Sequence, residues 1–336
     1  MMLSISQLAL VSLVALLTAS FTQVHAAATA TVSPPPPPMN LRPVIGIVSQ
    51  PMSSEPGLSY IAASYIKFIE MAGGRAVPLK FGDATSEIDT LMDGINGVLW
   101  PGGGADITEV SSKYYQFASH IWNNAIAKND AGIYFPQWGT CLGFEFIHVM
   151  AGGPDLNILT CDFDSEDLPL PLNFTRNARQ SGSLLHSMSD PLYKALSVEY
   201  LTQNEHKCGV PTSAYDDSSS KISTFFDIKA TNVDRNGKPF VSLVEGKLYP
   251  VYGMQAHPEK SNFEWVTSEK YPIPHTIHAM EMSQYFANFF VNECRRNSQT
   301  LKNETSALMY NYNPTYTGKT GGYFQQTYTF PIIFEK

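Results

Sequence analysis

A cysteine between two glycines constrains this chain more than any other feature of its sequence. Cys141 stands between Gly139 and Gly143 in the spacing G-x-C-x-G, and Ile133–Met150 has a strand pattern followed by a helix pattern. This spacing is typical of a strand-to-helix elbow, where nearby side chains would collide with a strained backbone. Unpaired N–H groups and the helix dipole at such a bend favour the thiolate. We therefore expect Cys141 to be a nucleophile; the alternative is a buried, inert cysteine.

The residues on either side of the elbow indicate the fold class. Strands are predicted at Arg42–Ser49, Arg75–Phe81 and Gly94–Trp100, and helices at Ser59–Met71, Ser86–Met92, Lys113–Asp130 and His278–Cys294. The first strand is apolar throughout, as expected for a strand covered on both faces. Strands alternating with helices predict an α/β fold with a mostly parallel central sheet, whose site lies beyond the carboxyl ends of the strands.

A β-rich segment follows the elbow helix. Residues 152–183 are predicted to be loop with short strands, and β-like patterns follow at Leu196–Tyr200, Ile222–Asn232, Pro239–Glu245 and Leu248–Gln255. Between them, the sequence Asp-Arg-Asn-Gly at 234–237 predicts a hairpin turn, because Asn-Gly readily adopts positive φ. We expect an antiparallel meander added to the parallel sheet.

A histidine and a glutamate directly after the last of these strands are candidate partners for the cysteine. His257 and Glu259 are two residues apart, so in an extended segment they face the same way. A carboxylate beside an imidazole fixes its tautomer and stabilises its protonated form. Taken alone, the pair is equally typical of a satisfied structural histidine. Among the other histidines, we expect His148 to pack and His206, in a polar loop, to touch substrate.

The glycine run Pro101–Gly104 ends the third predicted strand. Its backbone N–H groups, with that of Leu142, are suited to form an oxyanion hole, because glycine lets the main chain approach a reacting carbonyl closely. A plain turn is the alternative. A phosphate cradle ranks low, because the chain has neither G-x-G-x-x-G nor a Walker pattern at this loop.

Composition limits the partners. The chain has 336 residues, 43% of them hydrophobic, and a formal net charge of -8. This is enough for one large domain, and the negative charge argues against a nucleic-acid partner. An anionic substrate would need a local basic pocket, which the sequence does not locate. Nothing in the sequence calls for a metal or cofactor, and the cysteine spacings match no zinc pattern.

The amino terminus has the pattern of an export signal. We expect residues 1–26 to be a signal peptide, too short to span a membrane, and 27–39 to be a proline-rich spacer, before a domain at 40–298 and a tail at 299–336. Asn173 and Asn303 would then be glycan acceptors. If Cys141 stays reduced, Cys161, Cys208 and Cys294 allow one disulfide whose pairing the sequence leaves open.

Several of these motifs together resemble the γ-glutamyl hydrolases of the class I glutamine amidotransferase-like superfamily. The similarity lies in Tyr60–Tyr65, Pro101–Gly104, Gly139–Glu145, Tyr249–Gly253 and Gln255–Lys260, and extends into Tyr-rich residues 305–330, which should then be packed. It covers almost the whole mature chain. Two departures are Ala256, at a commonly aromatic position, and Thr327, where a cysteine can occur.

The resemblance implies a three-layer, doubly wound fold and a lysosomal, vacuolar or extracellular hydrolase that cleaves folylpoly-γ-glutamates and antifolate polyglutamates. Cys141 would be the nucleophile, His257 the acid/base and Glu259 its orienting partner, with the oxyanion held by backbone N–H groups of Gly103, Gly104 and Leu142. Glu145 and His206 would contact the small-molecule substrate. No cofactor is implied, and a homodimer is compatible with the sequence.

Three other functions compete with this interpretation. A glutaminase that feeds a synthetase is disfavoured because the chain has no room for a second catalytic domain and carries Glu145 where such enzymes usually carry Gln. An amidase acting on other γ-glutamyl compounds remains an alternative. A papain-like protease lacks its C-G-S-C-W motif here. A secreted binding protein with a dead site is disfavoured because all three catalytic residue types are present.

Overall fold

An eight-stranded, mostly parallel sheet forms the centre of the protein. The computed structural model describes residues 39–153, 158–265, 273–320 and 323–334. Within them the strands are β1 (Val44–Val48), β2 (Gln50–Pro51), β3 (Leu58–Ala62), β4 (Arg75–Leu79), β5 (Val98–Trp100), β6 (Gln137–Thr140), β7 (Ser165–Leu170), β8 (Asn173–Phe174), β9 (Thr202–His206), β10 (Phe226–Val233), β11 (Pro239–Gly246), β12 (Val251–Met254), β13 (Thr315–Tyr316) and β14 (Gln326–Pro331).

The helices alternate with the strands in the first half of the chain. They are α1 (Ala63–Met71), α2 (Thr85–Met92), α3 (Lys113–Asp130), α4 (Leu142–Gly152), α5 (Asp190–Val198), α6 (Lys221–Phe225), α7 (Lys260–Phe263), α8 (Ile277–Cys294) and α9 (Glu304–Ala307). Short 3-10 turns lie at Thr212–Tyr215, Met309–Asn311 and Gly318–Thr320.

The central sheet has the order β4-β1-β5-β6-β12-β11-β10-β8. The first five of these strands are parallel to one another, and β12, β11, β10 and β8 pair antiparallel. The predicted α/β fold with a mostly parallel sheet and an added antiparallel meander is therefore confirmed. Gly237 has φ 80°, as the predicted hairpin turn between β10 and β11 requires.

Helices cover both faces of this sheet. Along β1, Ile45 and Ile47 pack into a core that includes side chains of α1 and α8, whereas Val44 and Val48 pack into a core with α2, α3 and α4. Successive residues of a strand point to opposite faces, so a strand buried on both sides is apolar throughout. The arrangement has the three layers that the resemblance implies.

The helix predicted at Ser59–Met71 is wrong in its first part. Leu58–Ala62 forms β3, and only Ala63–Met71 is helical. The strand is held by long-range pairing, because β14 runs antiparallel to it over five residue pairs and β2 pairs on its other side. A local helical pattern yields here to a partner strand at the far end of the chain.

The strand predictions for two further segments are also wrong, in whole or in part. Leu196–Tyr200 lies largely in α5, whose start at Asp190 is marked by the Ser189 cap and a proline in the first turn. The first part of Ile222–Asn232 is helix α6, and only Phe226–Val233 is strand. The expected signal peptide and all but the last residue of the spacer lie outside the described residues, and the domain boundaries stay predictions.

Candidate active site

The candidate residues meet at one edge of the central sheet. The glycine loop follows β5, Cys141 follows β6, and His257 follows β12 by three residues. These strands are parallel neighbours in the order β5-β6-β12, so their carboxyl ends lie side by side. Residues far apart in sequence are thereby brought to the sheet edge where α/β proteins bind ligands.

Cys141 occupies a strained bend between β6 and α4. Its φ is 50° and its ψ is -110°, in a region that residues other than glycine rarely adopt. A Cβ added at Gly139 would lie 2.5 Å from the Gly143 carbonyl oxygen, and one added at Gly143 would lie 2.1 Å from the Trp100 carbonyl oxygen. The two glycines are therefore needed for the close approach of backbone segments, and the predicted elbow geometry is confirmed.

The environment of the thiol differs from the expectation of a resting thiolate. Burial raises the pKa of Cys141 well above its ordinary value, and the Glu145 carboxyl group raises it further where it is ionised. Lys260 and the Leu142 N–H group lower the pKa of the thiol, but they do not offset burial. The helix terminus favours the thiolate, as predicted, but burial acts against ionisation more strongly. The ionisation of the free thiol stays a prediction.

His257 and Glu259 form a buried pair. The Nδ1 atom of His257 lies 2.7 Å from Oε1 of Glu259, and both side chains are almost fully buried. The contact agrees with the prediction, but the predicted extended backbone is wrong. Glu259 has φ -69° and ψ -25° and stands at the N-cap position of the short helix α7. A carboxylate this close requires a proton on Nδ1, so Nε2 of the neutral ring carries the lone pair.

The imidazole lies next to the cysteine. A Cβ placed on Gly102 would lie 2.6 Å from Cε1 of His257 and 3.2 Å from Cβ of Cys141, so the two side chains flank the same point. Gly102 itself leaves that space free. The structure therefore brings together the three residues of the predicted constellation, while their chemical roles stay a prediction.

The glycine loop is clamped against β2. Nε2 of Gln50 donates hydrogen bonds to the carbonyl oxygens of Pro101 and Gly102, at 3.0 and 3.2 Å. A Cβ on Gly103 would lie 2.0 Å from Oε1 of the same glutamine. These contacts fix the loop at the site. The sequence carried no signal for Gln50, whose role depends on tertiary contacts alone.

A cleft of about 380 Å³ opens beside the cysteine. Its lining combines backbone of the glycine loop and the elbow with acidic, basic and imidazole side chains: Gly103, Gly104, Cys141, Leu142, Glu145, Glu166, Glu205, His206 and Lys207 are among them. All three predicted oxyanion-hole residues therefore face the cleft that contains the thiol. That their N–H groups bind an oxyanion remains a prediction.

Glu145 is a buried carboxyl group one helical turn after Cys141. It accepts a hydrogen bond of 3.0 Å from Nε2 of Gln255, and burial raises its pKa to about 8. At neutral pH this side chain is therefore mostly protonated, so it presents a neutral carboxylic acid to the cleft.

His206 also lines the cleft, in the wall formed by the end of β9. Its Nδ1 atom is 2.8 Å from the carbonyl oxygen of Cys208, and burial lowers its pKa to about 4. The ring is thus neutral, and its Nε2 is buried with no hydrogen-bond partner among the described residues. Next to it, the disulfide Cys161–Cys208 joins this wall to the segment before β7, which settles the open pairing.

Lys260 is a basic residue that sequence reasoning did not place in the site. It is almost fully buried, its Nζ lies 3.9 Å from Oε1 of Glu205, and its positive charge lowers the pKa of Cys141. Its position directly after Glu259, inside a motif of the resemblance, was the available signal. It is a buried cation within the electrostatic reach of the thiol.

The remaining candidates lie elsewhere. His148 packs in the core, between the Phe144 carbonyl and the Tyr215 hydroxyl, as expected. Asn173 and Asn303 are exposed, and Cys294 is a buried free cysteine. In the described ranges, no cluster of metal-ligating side chains is found, and no helix has the length and apolar character needed to cross a bilayer.

Several known proteins are similar to this chain in sequence. The profile of the peptidase C26 family matches residues 43–259. The chain is 42% identical over 295 residues to "Gamma-glutamyl hydrolase" of Mus musculus, covering 86% of this chain and 90% of that protein. It is 38% identical over 300 residues to "Gamma-glutamyl hydrolase B" of Dictyostelium discoideum, covering 87% and 84%. These matches span the elbow, the glycine loop and the His257–Glu259 pair, and the chain belongs to the peptidase C26 family, with the γ-glutamyl hydrolases as its relatives.

Proposed function

We propose that this protein is a cysteine hydrolase that cleaves γ-glutamyl bonds through a γ-glutamyl thioester on Cys141. One observation carries the proposal: Cβ of Cys141, at a strained elbow, and Cε1 of His257 flank the same point at Gly102, while Nδ1 of His257 is held by Glu259. This is the nucleophile, base and orienting group of covalent acyl transfer. The names of the relatives supply the bond that is cleaved.

The first half of the reaction forms the thioester. Nε2 of His257 accepts the Cys141 proton as the sulfur attacks the γ-carbonyl carbon, and the tetrahedral oxyanion is held by the N–H groups of Leu142 and the glycine loop. The imidazolium, stabilised by Glu259, then donates its proton to the departing amine. The C–N bond breaks and the γ-glutamyl thioester remains on the sulfur.

Water completes the cycle. His257, neutral again, takes a proton from a water molecule, which attacks the thioester carbonyl. Collapse of the second tetrahedral intermediate breaks the C–S bond, and the proton on His257 returns to the sulfur. The glutamate or glutamyl peptide has already left as the amine of the first half. The acyl part now leaves as a free γ-carboxylic acid, which for a folate substrate is the shortened pteroyl glutamate chain, and the thiol is regenerated.

The substrates we propose are folylpoly-γ-glutamates and antifolate polyglutamates. The support is the resemblance of the motifs together with a cleft that holds polar side chains able to face the amide N–H group and the free α-carboxylate of a γ-glutamyl unit. Glu145 and His206 are proposed substrate contacts, because both are buried and both line the cleft. A buried polar partner left unpaired penalises a wrong substrate strongly.

Product analysis tests this function. We expect purified protein to hydrolyse pteroyl pentaglutamate, and the identity of the products distinguishes cleavage at the chain end from internal cleavage. Cys141→Ala should abolish turnover. Cys294→Ala, which changes the chain's other free cysteine at a site in the core, is the matched control and should keep it. Hydrolysis of pteroyl pentaglutamate by Cys141→Ala would contradict the thioester mechanism.

Competing functions give other outcomes in the same assay. A glutaminase or another γ-glutamyl amidase would release ammonia from free glutamine, or cleave short γ-glutamyl amides, faster than it hydrolyses pteroyl polyglutamates. A non-catalytic binding protein would bind pteroyl polyglutamate without releasing glutamate. We expect neither pattern, because the catalytic residue types of the family are present and adjacent.

We also propose that the chain enters the secretory route and is glycosylated at Asn173 and Asn303, with the extracellular space, a lysosome or a vacuole as its destination. The support is the amino-terminal signal pattern and the exposure of both asparagines. Expression in eukaryotic cells with glycosidase digestion tests this: the digested protein should run faster, and Asn→Gln variants should lose the shift. Light scattering on the purified protein tests the homodimer.

A further inference from the structure

A buried tyrosine lies between the glycine loop and the His257–Glu259 pair. Tyr65 is 1% exposed, and its hydroxyl oxygen accepts a hydrogen bond of 2.8 Å from the Gly102 N–H group. The same oxygen lies 3.3 Å from Nδ1 of His257. The hydroxyl therefore joins two parts of the site that come from different strands, the loop after β5 and the segment after β12.

The direction of the hydroxyl proton follows from its neighbours. Gly102 donates to the hydroxyl oxygen, so the O–H group of Tyr65 remains free to donate. Nδ1 of His257 does not accept this proton, because Nδ1 carries its own proton toward Glu259 at 2.7 Å. The acceptor left in this group is the Glu259 carboxylate. The charge of that carboxylate acts on Tyr65, and its Oε2 atom is buried with no hydrogen-bond partner among the described residues, so it is the acceptor that lacks a donor.

The surroundings keep the tyrosine protonated. Burial raises the pKa of Tyr65 well above its ordinary value, and the negative charge of Glu259 raises it further. A phenol in this environment stays protonated at neutral pH and remains a hydrogen-bond donor. Such a donor can hold a carboxylate in one orientation without ever competing for its proton.

We propose that Tyr65 is a positioning residue for the hydrolase: it holds the Glu259 carboxylate against His257 and ties the glycine loop to that pair. The inference rests on the proposed function, since it assigns Tyr65 to the same site. Tyr65 acts through Glu259 and the glycine loop and does not itself contact the reacting carbonyl. Its two hydrogen bonds set the tautomer of the base and the place of the oxyanion loop together.

Tyr65→Phe removes the hydroxyl and little else. We expect kcat on pteroyl pentaglutamate to fall about 10- to 100-fold, the effect of losing a hydrogen bond to a charged group, with KM changed by less than about threefold. The acid limb of the kcat/KM profile should move to higher pH, because a carboxylate without this donor stabilises the imidazolium more strongly. A purely structural role would not move that limb.

Tyr252→Phe is the matched control. It also removes a buried tyrosine hydroxyl bonded to a glutamate, Glu293, at 3.1 Å, but in strand β12 away from the cleft. We expect it to keep kcat within about twofold and the pH profile unchanged. Thermal unfolding of both variants shows whether a loss of fold contributes to the loss of activity.

A double variant makes the test decisive. If Tyr65 acts through Glu259, adding Tyr65→Phe to Glu259→Gln should cost less than about threefold in kcat, because the shared interaction is already gone. The positioning role is overturned if the kcat losses of the two single variants multiply in full in the double variant. It is also overturned if Tyr65→Phe keeps the wild-type kcat and an unmoved acid limb. The function itself is tested separately, since Cys141→Ala retaining turnover would reject the hydrolase mechanism whatever the behaviour of Tyr65.

Discussion

In the proposed mechanism a base activates the thiol of Cys141, and we expect that thiol to be protonated at rest. Its burial and the nearby carboxyl groups raise its pKa, so the helix terminus and Lys260 serve to hold the thiolate only once His257 has taken the proton. Catalysis in this arrangement therefore depends on proton transfer at the start of each turnover. An inert thiol protects the enzyme from oxidation between turnovers.

Alkylation kinetics report this state of the thiol. We expect the rate at which iodoacetamide labels Cys141 to rise about tenfold per pH unit between pH 6 and 8, because only the thiolate reacts. Labelling is measured by mass spectrometry, with Cys141→Ala as the blank. A rate that is already at its plateau at pH 5 would show a thiolate–imidazolium pair formed at rest and would contradict this prediction.

The raised pKa of Glu145 affects stability with a definite sign. Burial lifts it from 4.5 in the ordinary state to about 8, so between these values the folded protein binds more protons than the unfolded chain and its stability falls as pH rises. Glu145→Gln removes the titrating group. Urea unfolding at pH 5 and pH 8 should show a larger loss for the wild type than for the variant, by up to a few kcal/mol at about 1.4 kcal/mol per pKa unit. Equal losses would place Glu145 in water.

The elbow glycines tolerate no side chain. Gly143→Ala forces a Cβ to 2.1 Å from the Trp100 carbonyl oxygen, and backbone does not move aside as a side chain can. We expect a loss of about 3 kcal/mol or more in the free energy of unfolding. Gly104→Ala meets nothing within 4 Å and should change that free energy by less than about 0.5 kcal/mol. Equal unfolding free energies for the two variants would contradict the close approach.

At the scale of elements, the wall of the cleft on the β9 side depends on a covalent link. The Cys161–Cys208 disulfide closes a loop with a sequence separation of 47, and the Thr160 and Gly209 backbones exchange hydrogen bonds beside it. The end of β9, with His206, is thereby fixed to the segment that precedes β7. Cys161 is exposed, so a thiol reagent can reach the bond.

Removing the disulfide should loosen this wall. For Cys161→Ser/Cys208→Ser, the entropy of a loop of this length predicts a loss of about 4 kcal/mol in the free energy of unfolding, and KM should rise because His206 is less well placed. Denaturant unfolding and steady-state kinetics measure both. Dithiothreitol should weaken the wild type in the same way and leave the double variant unchanged; sensitivity of that variant to the reductant would point to another cause.

The elements that the sequence predicts best are those defined by local patterns. Helix α3 was predicted at its observed bounds, and the elbow followed from two glycines and a cysteine, because a tight turn has few chemical solutions. Strand β3 was missed since its partner β14 lies at the other end of the chain. Gln50 and Tyr65 were missed for a similar reason: their roles are hydrogen bonds made only after folding, which no local spacing announces.

At the scale of the whole molecule, the carboxyl-terminal segment is part of the sheet system that supports the site. Strands β13 and β14 extend the small sheet β13-β14-β3-β2, and Phe330 in β14 is 1% exposed. Strand β3 continues directly into α1, which carries Tyr65, and β2 contains Gln50. The end of the chain thus braces two residues that contact the glycine loop.

Ending the chain after Pro314 tests this support. We expect a lower urea midpoint of unfolding, because β3 loses its antiparallel partner and the Phe330 side chain alone accounts for about 3–5 kcal/mol, together with a lower kcat. Ile333→Ala, which changes a tail residue that is 72% exposed, is the control and should leave both unchanged. A truncated protein with the wild-type midpoint would show that the tail does not stabilise the fold.

The position of β12 between β6 and β11 has a consequence for biosynthesis. A ribosome that has delivered the chain as far as Cys141 has made a sheet whose outermost strand, β6, is still bare on one side. Only when the segment through Glu259 emerges and inserts does the sulfur meet His257, the proton acceptor of the proposed mechanism. On that mechanism the nascent polypeptide is catalytically silent for most of its synthesis, and its exposed strand edge is what a chaperone would have to cover until then.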